Sequence, residues 1–182
     1  MTNFLLELMS EEMPASIIES SAVSIEQLFC NSFKKNSLTF DSHNIYFGPK
    51  RITLIFFNLK NVIDEAYIKG PNVKASTNAV EGFAKSQKVS LEDLDIKETE
   101  KGNYYIIKKK ITLNDTIISL QNILEINLAK IPWKKSMRWG NGTLKWVRPL
   151  KNILCLYGER KISIDLLGHS SQNFTLQSDL FN

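Results

Sequence analysis

The stretch I-T-L-I-F-F-N-L, residues 52–59, is apolar at both alternating sets of positions over most of its length. Such a run predicts a central strand covered on both faces, because a solvated face would show a polar residue at every second position. Lys50 and Arg51 stand just before it and set two cations at the end of the sheet. Residues 45–47 begin another strand that Gly48-Pro49 interrupts, and the mostly apolar residues 4–8 read as a third, buried one. From residue 15 to 35 the apolar positions Ile18, Ala22, Ile25, Phe29 and Phe33 recur at spacings of four, three, four and four, one face of a helix. Pro14 suits the first turn of that helix.

Further along, residues 67–71 continue as extended chain into a loop, and residues 79–88 predict a short helix around Gly82. Residues 94–98 and 104–111 read as a hairpin across Glu100-Lys101-Gly102-Asn103. The triplet Lys108, Lys109 and Lys110 fits an edge strand guarded by charge or a solvated strand end. Thr112 and Asp115 resemble a capping box. The helix that follows, over 115–130, carries Ile117, Leu120, Leu124, Leu128 and Ile131 on one stripe, and Pro132 ends it. A last hairpin, 153–157 with 161–167, turns at Gly158-Glu159, and the chain after Gly168 is polar and patternless. Helices fall among strands without a βαβ rhythm and without internal repeats. The expected fold is α+β, with a mixed or mostly antiparallel sheet and three or so helices. Residues 1–168 form its body, divisible into two sub-domains near 70–90, and residues 169–182 form a tail.

With 182 residues, 43% of them hydrophobic and 23% charged, the chain suits one soluble domain or two small ones. Cys30 and Cys155 lie in apolar contexts with no CxxC spacing, as reduced core residues of a cytosolic protein do. The N-terminal apolar run is too short for a signal peptide, and no run of about 18 apolar residues predicts a membrane span. A cytoplasmic location and no membrane partner are expected. His43 and His169 have no acid or cysteine at ligand spacing, so no metal site is expected. No phosphate-binding loop, dinucleotide fingerprint or nucleophile elbow occurs. Glu7, Glu11 and Glu12 are explained by the start of a helix, whose dipole favours acids. No catalytic constellation can be assembled, and the chain alone is expected to be inactive.

The net charge is +4, and the basic excess is concentrated between Lys130 and Lys151, K-I-P-W-K-K-S-M-R-W-G-N-G-T-L-K-W-V-R-P-L-K. All three tryptophans (Trp133, Trp139, Trp146) and seven basic residues fall there, with no carboxylate between Glu125 and Glu159. One reading is a basic loop whose tryptophans turn inward as core. The other is a surface on which Lys134, Lys135 and Arg138 meet phosphates while Trp133 or Trp139 stacks on a base. Trp146, beside Val147 in a strand-like run, is assigned to the core. Gly140-Asn141-Gly142 reads as a tight turn.

The run I-P-W-K-K-S-M-R-W-G at 131–140, followed by W-V-R-P at 146–149, resembles the most characteristic patch of the bacterial glycyl-tRNA synthetase beta subunit. Further matches come in order: F-L-L-E-L-M-S-E-E-M-P at 4–14, G-P-K-R-I at 48–52, K-G-P at 69–71 and E-G-F-A-K at 81–85. The resemblance covers nearly the whole chain up to about Gly168. It implies the N-terminal portion of a beta subunit in an α2β2 ligase that joins glycine to its tRNA. In that family the alpha subunit carries the class II catalytic core, the beta subunit supplies much of the tRNA recognition, and ATP is used by the holoenzyme, so no cofactor is expected in this chain. Its implied partners are the alpha subunit and the tRNA for glycine. The family's beta subunit is several times longer, with a helical HD-like region and a C-terminal anticodon-binding domain. It also continues with a Gly-His-Arg-Phe-like stretch, where this tail reads T-L-Q-S-D-L-F-N. An excised piece, or a truncated or split gene, is therefore expected.

The candidates for tRNA binding or subunit contact are Lys134, Lys135, Arg138, Trp139, Lys145, Arg148, Lys50 and Arg51. Two other readings stay open. One is a stand-alone RNA-binding module without preference for the glycine tRNA. The other is a structural piece whose basic patch docks an acidic surface of the alpha chain.

Overall fold

The computed structural model describes residues 2–61, 65–99, 102–110, 112–140 and 142–177. The chain begins with β1 (Phe4–Ser10), α1 (Ala15–Lys35), β2 (Leu38–Thr39), β3 (Ser42–Gly48), β4 (Arg51–Phe57) and β5 (Lys60–Asn61). It continues through β6 (Glu65–Asn72), α2 (Thr77–Gln87), a 3-10 turn at Leu91–Asp93, β7 (Asp95–Thr99), β8 (Gly102–Lys110) and α3 (Leu113–Leu128). Six short or long strands close it: β9 (Met137–Arg138), β10 (Lys145–Trp146), β11 (Leu150–Tyr157), β12 (Arg160–Lys161), β13 (Asp165–Leu166) and β14 (His169–Ser170). The fold is α+β, with antiparallel pairing throughout its sheets. Two compact units result: residues 1–62 with 113–182, and residues 63–112.

The larger unit is built on a five-stranded sheet in the order β12-β11-β1-β4-β3. Its centre is β1, which pairs Leu6 with Cys155 on one side and with Leu54 on the other. The stretch 52–59, expected at the centre with both faces covered, is one strand off it and covered well on one face only. Ile52, Leu54 and Phe56 are at most 1% exposed, while Thr53, Ile55 and Phe57 are half-buried. The reason is layering. Both long helices of this unit serve one side, where Ile18, Ala22, Ile25, Phe29 and Phe33 of α1 join Phe4, Leu6 and Phe56 in the core with Leu120, Leu124 and Leu128 of α3. Phe33 meets Phe56 edge-on at 4.8 Å and Phe4 at 5.5 Å. Burying each such ring contributes about 1.5–3 kcal/mol. Ser32 of α1 donates to Asn127 Oδ1 of α3 at 2.9 Å, which ties the two helices together.

Helix α1 starts after Pro14, which sits at φ −61° and ψ 127°. It ends on Lys34 and Lys35, whose charge complements the negative end of the helix dipole. The last hairpin is shorter than the alternation over 161–167 suggests. Only Arg160 and Lys161 pair with β11 in register; Ile162 N–H still donates to the Cys155 carbonyl at 3.0 Å, after which the chain leaves the ladder, with Ile162 and Ile164 packed into the core. Gly158 makes the turn at φ +59°, a left-handed conformation that disfavours other residues. The segment 169–177, patternless in sequence, lies back on the sheet: Gln172 bridges to Leu154 in parallel, and Asn152 donates to the Phe174 carbonyl at 3.0 Å.

The smaller unit is a three-stranded sheet in the order β6-β8-β7 with α2 packed on it. Phe83 of α2 sits against Gly70, where a Cβ would come within 2.4 Å of the ring. Ser90 and Asp93 form a capping box on the 3-10 turn. The expected 94–98/104–111 hairpin is present as β7 and β8, with Glu100 and Lys101 of its turn outside the described residues. The lysine triplet guards no edge: β8, which carries it, is the middle strand, paired with β6 on one side and β7 on the other, and the side chains of Lys109 and Lys110 lie outside the described residues.

Candidate nucleic-acid interface

Helix α3 ends before Pro132, and the chain then runs close to the core through the tryptophan-rich stretch. Trp146 is 1% exposed, as the run beside Val147 suggested. Trp133 packs on it edge-to-face at 5.0 Å. Trp139 is half-buried and donates its indole N–H to the Trp146 carbonyl at 3.0 Å. The three indoles thus hold the segment to the protein, and the cations between them are turned outward. Gly140 takes φ +59° at the turn; Asn141 lies outside the described residues.

Lys134, Lys135 and Arg138 are exposed, as is Lys145. Arg138 and Lys145 stand directly opposite each other in the β9–β10 ladder. Like charges at that position destabilise a strand pair unless an anion screens them. Lys134, Lys135 and Arg148 border a cleft of about 380 Å³ whose apolar side is Pro14, Ile17, Met137 and Val147. Arg148 is held in place by donating from Nε to the Glu12 carbonyl at 3.1 Å. An open cleft with three cations at its border and an apolar wall can accept a phosphate together with a sugar or base edge.

Lys50 lines a second cleft, of about 300 Å³, with Ser10, Glu11 and Lys151. The two clefts adjoin the same turn, because Ser10 N–H donates to Lys50, Met13 N–H to Pro49 and Glu11 N–H to Pro149. Lys151, part of the basic stretch but not among the candidates for tRNA binding or subunit contact, pairs with Glu11 at 2.6 Å. That ion pair and hydrogen bond, helped by Lys50, hold the Glu11 carboxyl below its ordinary range. A pairing over 140 residues of separation leaves no local signal, which is why sequence pattern does not reveal it. Arg51 is placed differently. It pairs with Glu7 at 3.0 Å and donates also to Thr175 and to the carbonyl of Leu176, a residue that lines the second cleft together with Met9. So Lys134, Lys135 and Arg148 come together, Lys50 lies near them across the turn, Arg138 and Lys145 form a pair of their own, and Arg51 is engaged internally.

Among the described residues, no group of three His, Cys, Asp or Glu side chains could hold a metal ion. No helix among them is long and apolar enough to cross a membrane.

Comparison with known proteins gives a consistent result. The family model described as glycyl-tRNA synthetase beta subunit matches residues 4–181. The glycine–tRNA ligase beta subunit of Rickettsia typhi is 38% identical over 175 residues, which is 95% of this chain and 26% of that protein. That of Trichodesmium erythraeum is 36% identical over 187 residues, 98% of this chain and 26% of that protein. That of Rickettsia bellii is 36% identical over 175 residues. The chain thus spans about a quarter of the length of the curated relatives it matches.

Proposed function

The chain belongs to the glycyl-tRNA synthetase beta subunit family, and from that membership we propose that it is a non-catalytic, N-terminal part of such a subunit that helps bring the glycine tRNA to the ligase. Chemistry and ATP use belong to the assembled α2β2 enzyme in the cytoplasm, and this part contributes recognition. The observation that supports a polyanion partner is the placing of cations: three at the border of one cleft, and Arg138 opposite Lys145 with no acid between them in the ladder. Long stretches of tRNA backbone are the natural match for such a surface, since phosphate contacts supply most of the affinity and set the register.

The test is a titration of labelled glycine tRNA and of a second tRNA with the chain at two salt concentrations, beside the Lys134→Glu/Lys135→Glu variant. Expected are a preference for the glycine tRNA, a log–log salt slope of roughly 0.7–0.9 per neutralised phosphate, and a shallower slope in the variant. Equal binding of both tRNAs would indicate a general RNA-binding module. No binding at low salt would remove tRNA from this surface and favour the alternative reading, in which the cleft receives an acidic segment of the alpha subunit against its wall of Ile17, Met137 and Val147.

A further inference from the structure

The sheet of the smaller unit has two unlike faces. By register, Ile68, Gly70, Tyr105 and Ile107 share one face, the one on which Phe83 of α2 rests at Gly70. On the opposite face Tyr67 and Tyr104 stand among lysines. Lys69 Nζ lies 3.5 Å from the centroid of the Tyr104 ring, and Lys97 Nζ 4.4 Å from that of Tyr67. Lys108 pairs with Asp95 at 3.0 Å. Beneath these side chains Ile106, on the middle strand, is only 5% exposed, whereas Tyr67 is 50% exposed. Among the described side chains, three lysines stand against one aspartate, which makes this face cationic, and the two rings make it flat and stackable.

We propose that this face is a platform for single-stranded RNA, with unpaired bases stacking on Tyr67 and Tyr104 while Lys69 and Lys97 bind the phosphates between them. Three features favour unpaired RNA over other partners. Tyr67 is exposed and Tyr104 half-buried; an ammonium over a ring that water reaches is held weakly, and a phosphate competes well for it. Once it moves, the ring face it covered opens to a base, and base stacking returns more than the lost cation–ring contact did. An open sheet displaying aromatic rings also reads splayed bases, which a duplex keeps stacked and out of reach. Tyr67 lies opposite Lys108 on the middle strand, four residues from Tyr104, so a run of nucleotides is needed to reach both rings. This platform lies on other residues than the cleft of Lys134, Lys135 and Arg148 and does not rest on the tRNA reading of that cleft.

The test measures fluorescence anisotropy of fluorescein-labelled octauridylate titrated with the whole chain. The Tyr67→Leu/Tyr104→Leu variant keeps apolar cover over Ile106 but removes both rings, and Tyr67→Phe/Tyr104→Phe keeps the rings without the hydroxyls. Expected is salt-sensitive binding, retained within about twofold in the phenylalanine variant and weakened about tenfold or more in the leucine variant, in line with the cost of losing stacked bases. Lys69→Gln/Lys97→Gln should flatten the salt dependence. Three results would each overturn the proposal: a leucine variant that is folded by circular dichroism and binds as the wild type does, a 12-base-pair RNA duplex that binds as tightly as the single strand, or polyglutamate that displaces the probe as well as unlabelled octauridylate. The last would mark the face as a site for an acidic protein.

Discussion

Arg51 and Glu7 form an ion pair of 3.0 Å across the β1–β4 boundary, and Glu7 is only 8% exposed. Thr53 also donates to Glu7, at 3.4 Å, and Thr175 joins from the returning chain. A carboxylate so nearly buried requires its cation. Glu7→Leu should lower stability by about 1–3 kcal/mol, since Arg51 loses its counter-charge. Adding Arg51→Leu should recover most of that loss, because removing both partners of such a pair is close to neutral. Urea unfolding of the two single variants and the double variant checks this; simply additive losses would show that the pair is not coupled.

The tryptophans make a second prediction. Trp146→Ala opens a cavity at the centre of the segment and should cost about 3–5 kcal/mol. Trp139→Phe removes only the hydrogen bond to the Trp146 carbonyl and some area, for about 0.5–1.5 kcal/mol. Lys134→Glu, exposed beside them, should stay within about 0.5 kcal/mol of the wild type. Thermal melts followed by circular dichroism rank the three; a large loss from Lys134→Glu would mean that the basic residues are structural.

Gly70 has room for no side chain, since a Cβ would lie 2.4 Å from Cε1 of Phe83. Gly70→Ala should destabilise the smaller unit by about 1–3 kcal/mol through overpacking. Gly70→Ala/Phe83→Leu should restore part of it. Hydrogen exchange resolved by segment tests both, with faster exchange expected in residues 65–99 of the single variant and little change in β1 or β11.

Burial pushes the Cys155 thiol far above its ordinary value of 9.0. The folded chain therefore keeps a proton that the unfolded chain loses above about pH 9. Stability should fall as pH rises past that point, by up to about 1.4 kcal/mol per pH unit for this one group. Cys155→Ala should make the decline between pH 8.5 and 10 shallower. Tyr157, also pushed up by burial, keeps its share of the slope in that variant. Equal slopes in wild type and variant would mean that Cys155 ionises while folded.

Much of the fold was legible in the sequence, because it follows from local periodicity. The α1 face from Ile18 to Phe33, the end of α3 a few residues before Pro132 and the strand β8 need only neighbouring residues to be recognised. Family membership was legible for the same reason, as short motifs in a fixed order along the chain. Strand order was not. Whether residues 4–8 or residues 52–59 hold the centre depends on which strands pair, and β11, nearly 150 residues from β1, decides it.

The candidate site divides in the same way. The sequence alone established that cations and tryptophans alternate between Lys130 and Lys151, and so that some of that stretch had to face water and some the core. Only the tertiary structure decided which: the indoles turned inward on Trp146, the lysines outward to a cleft, and Arg51 drawn away to Glu7. The face of Tyr67, Lys69, Lys97 and Tyr104 was likewise invisible in the chain, because its members come from three strands and meet only when the sheet forms. Local pattern fixes which residues can share a face, but which faces meet is set by long-range pairing and by the burial of one side of a sheet rather than the other.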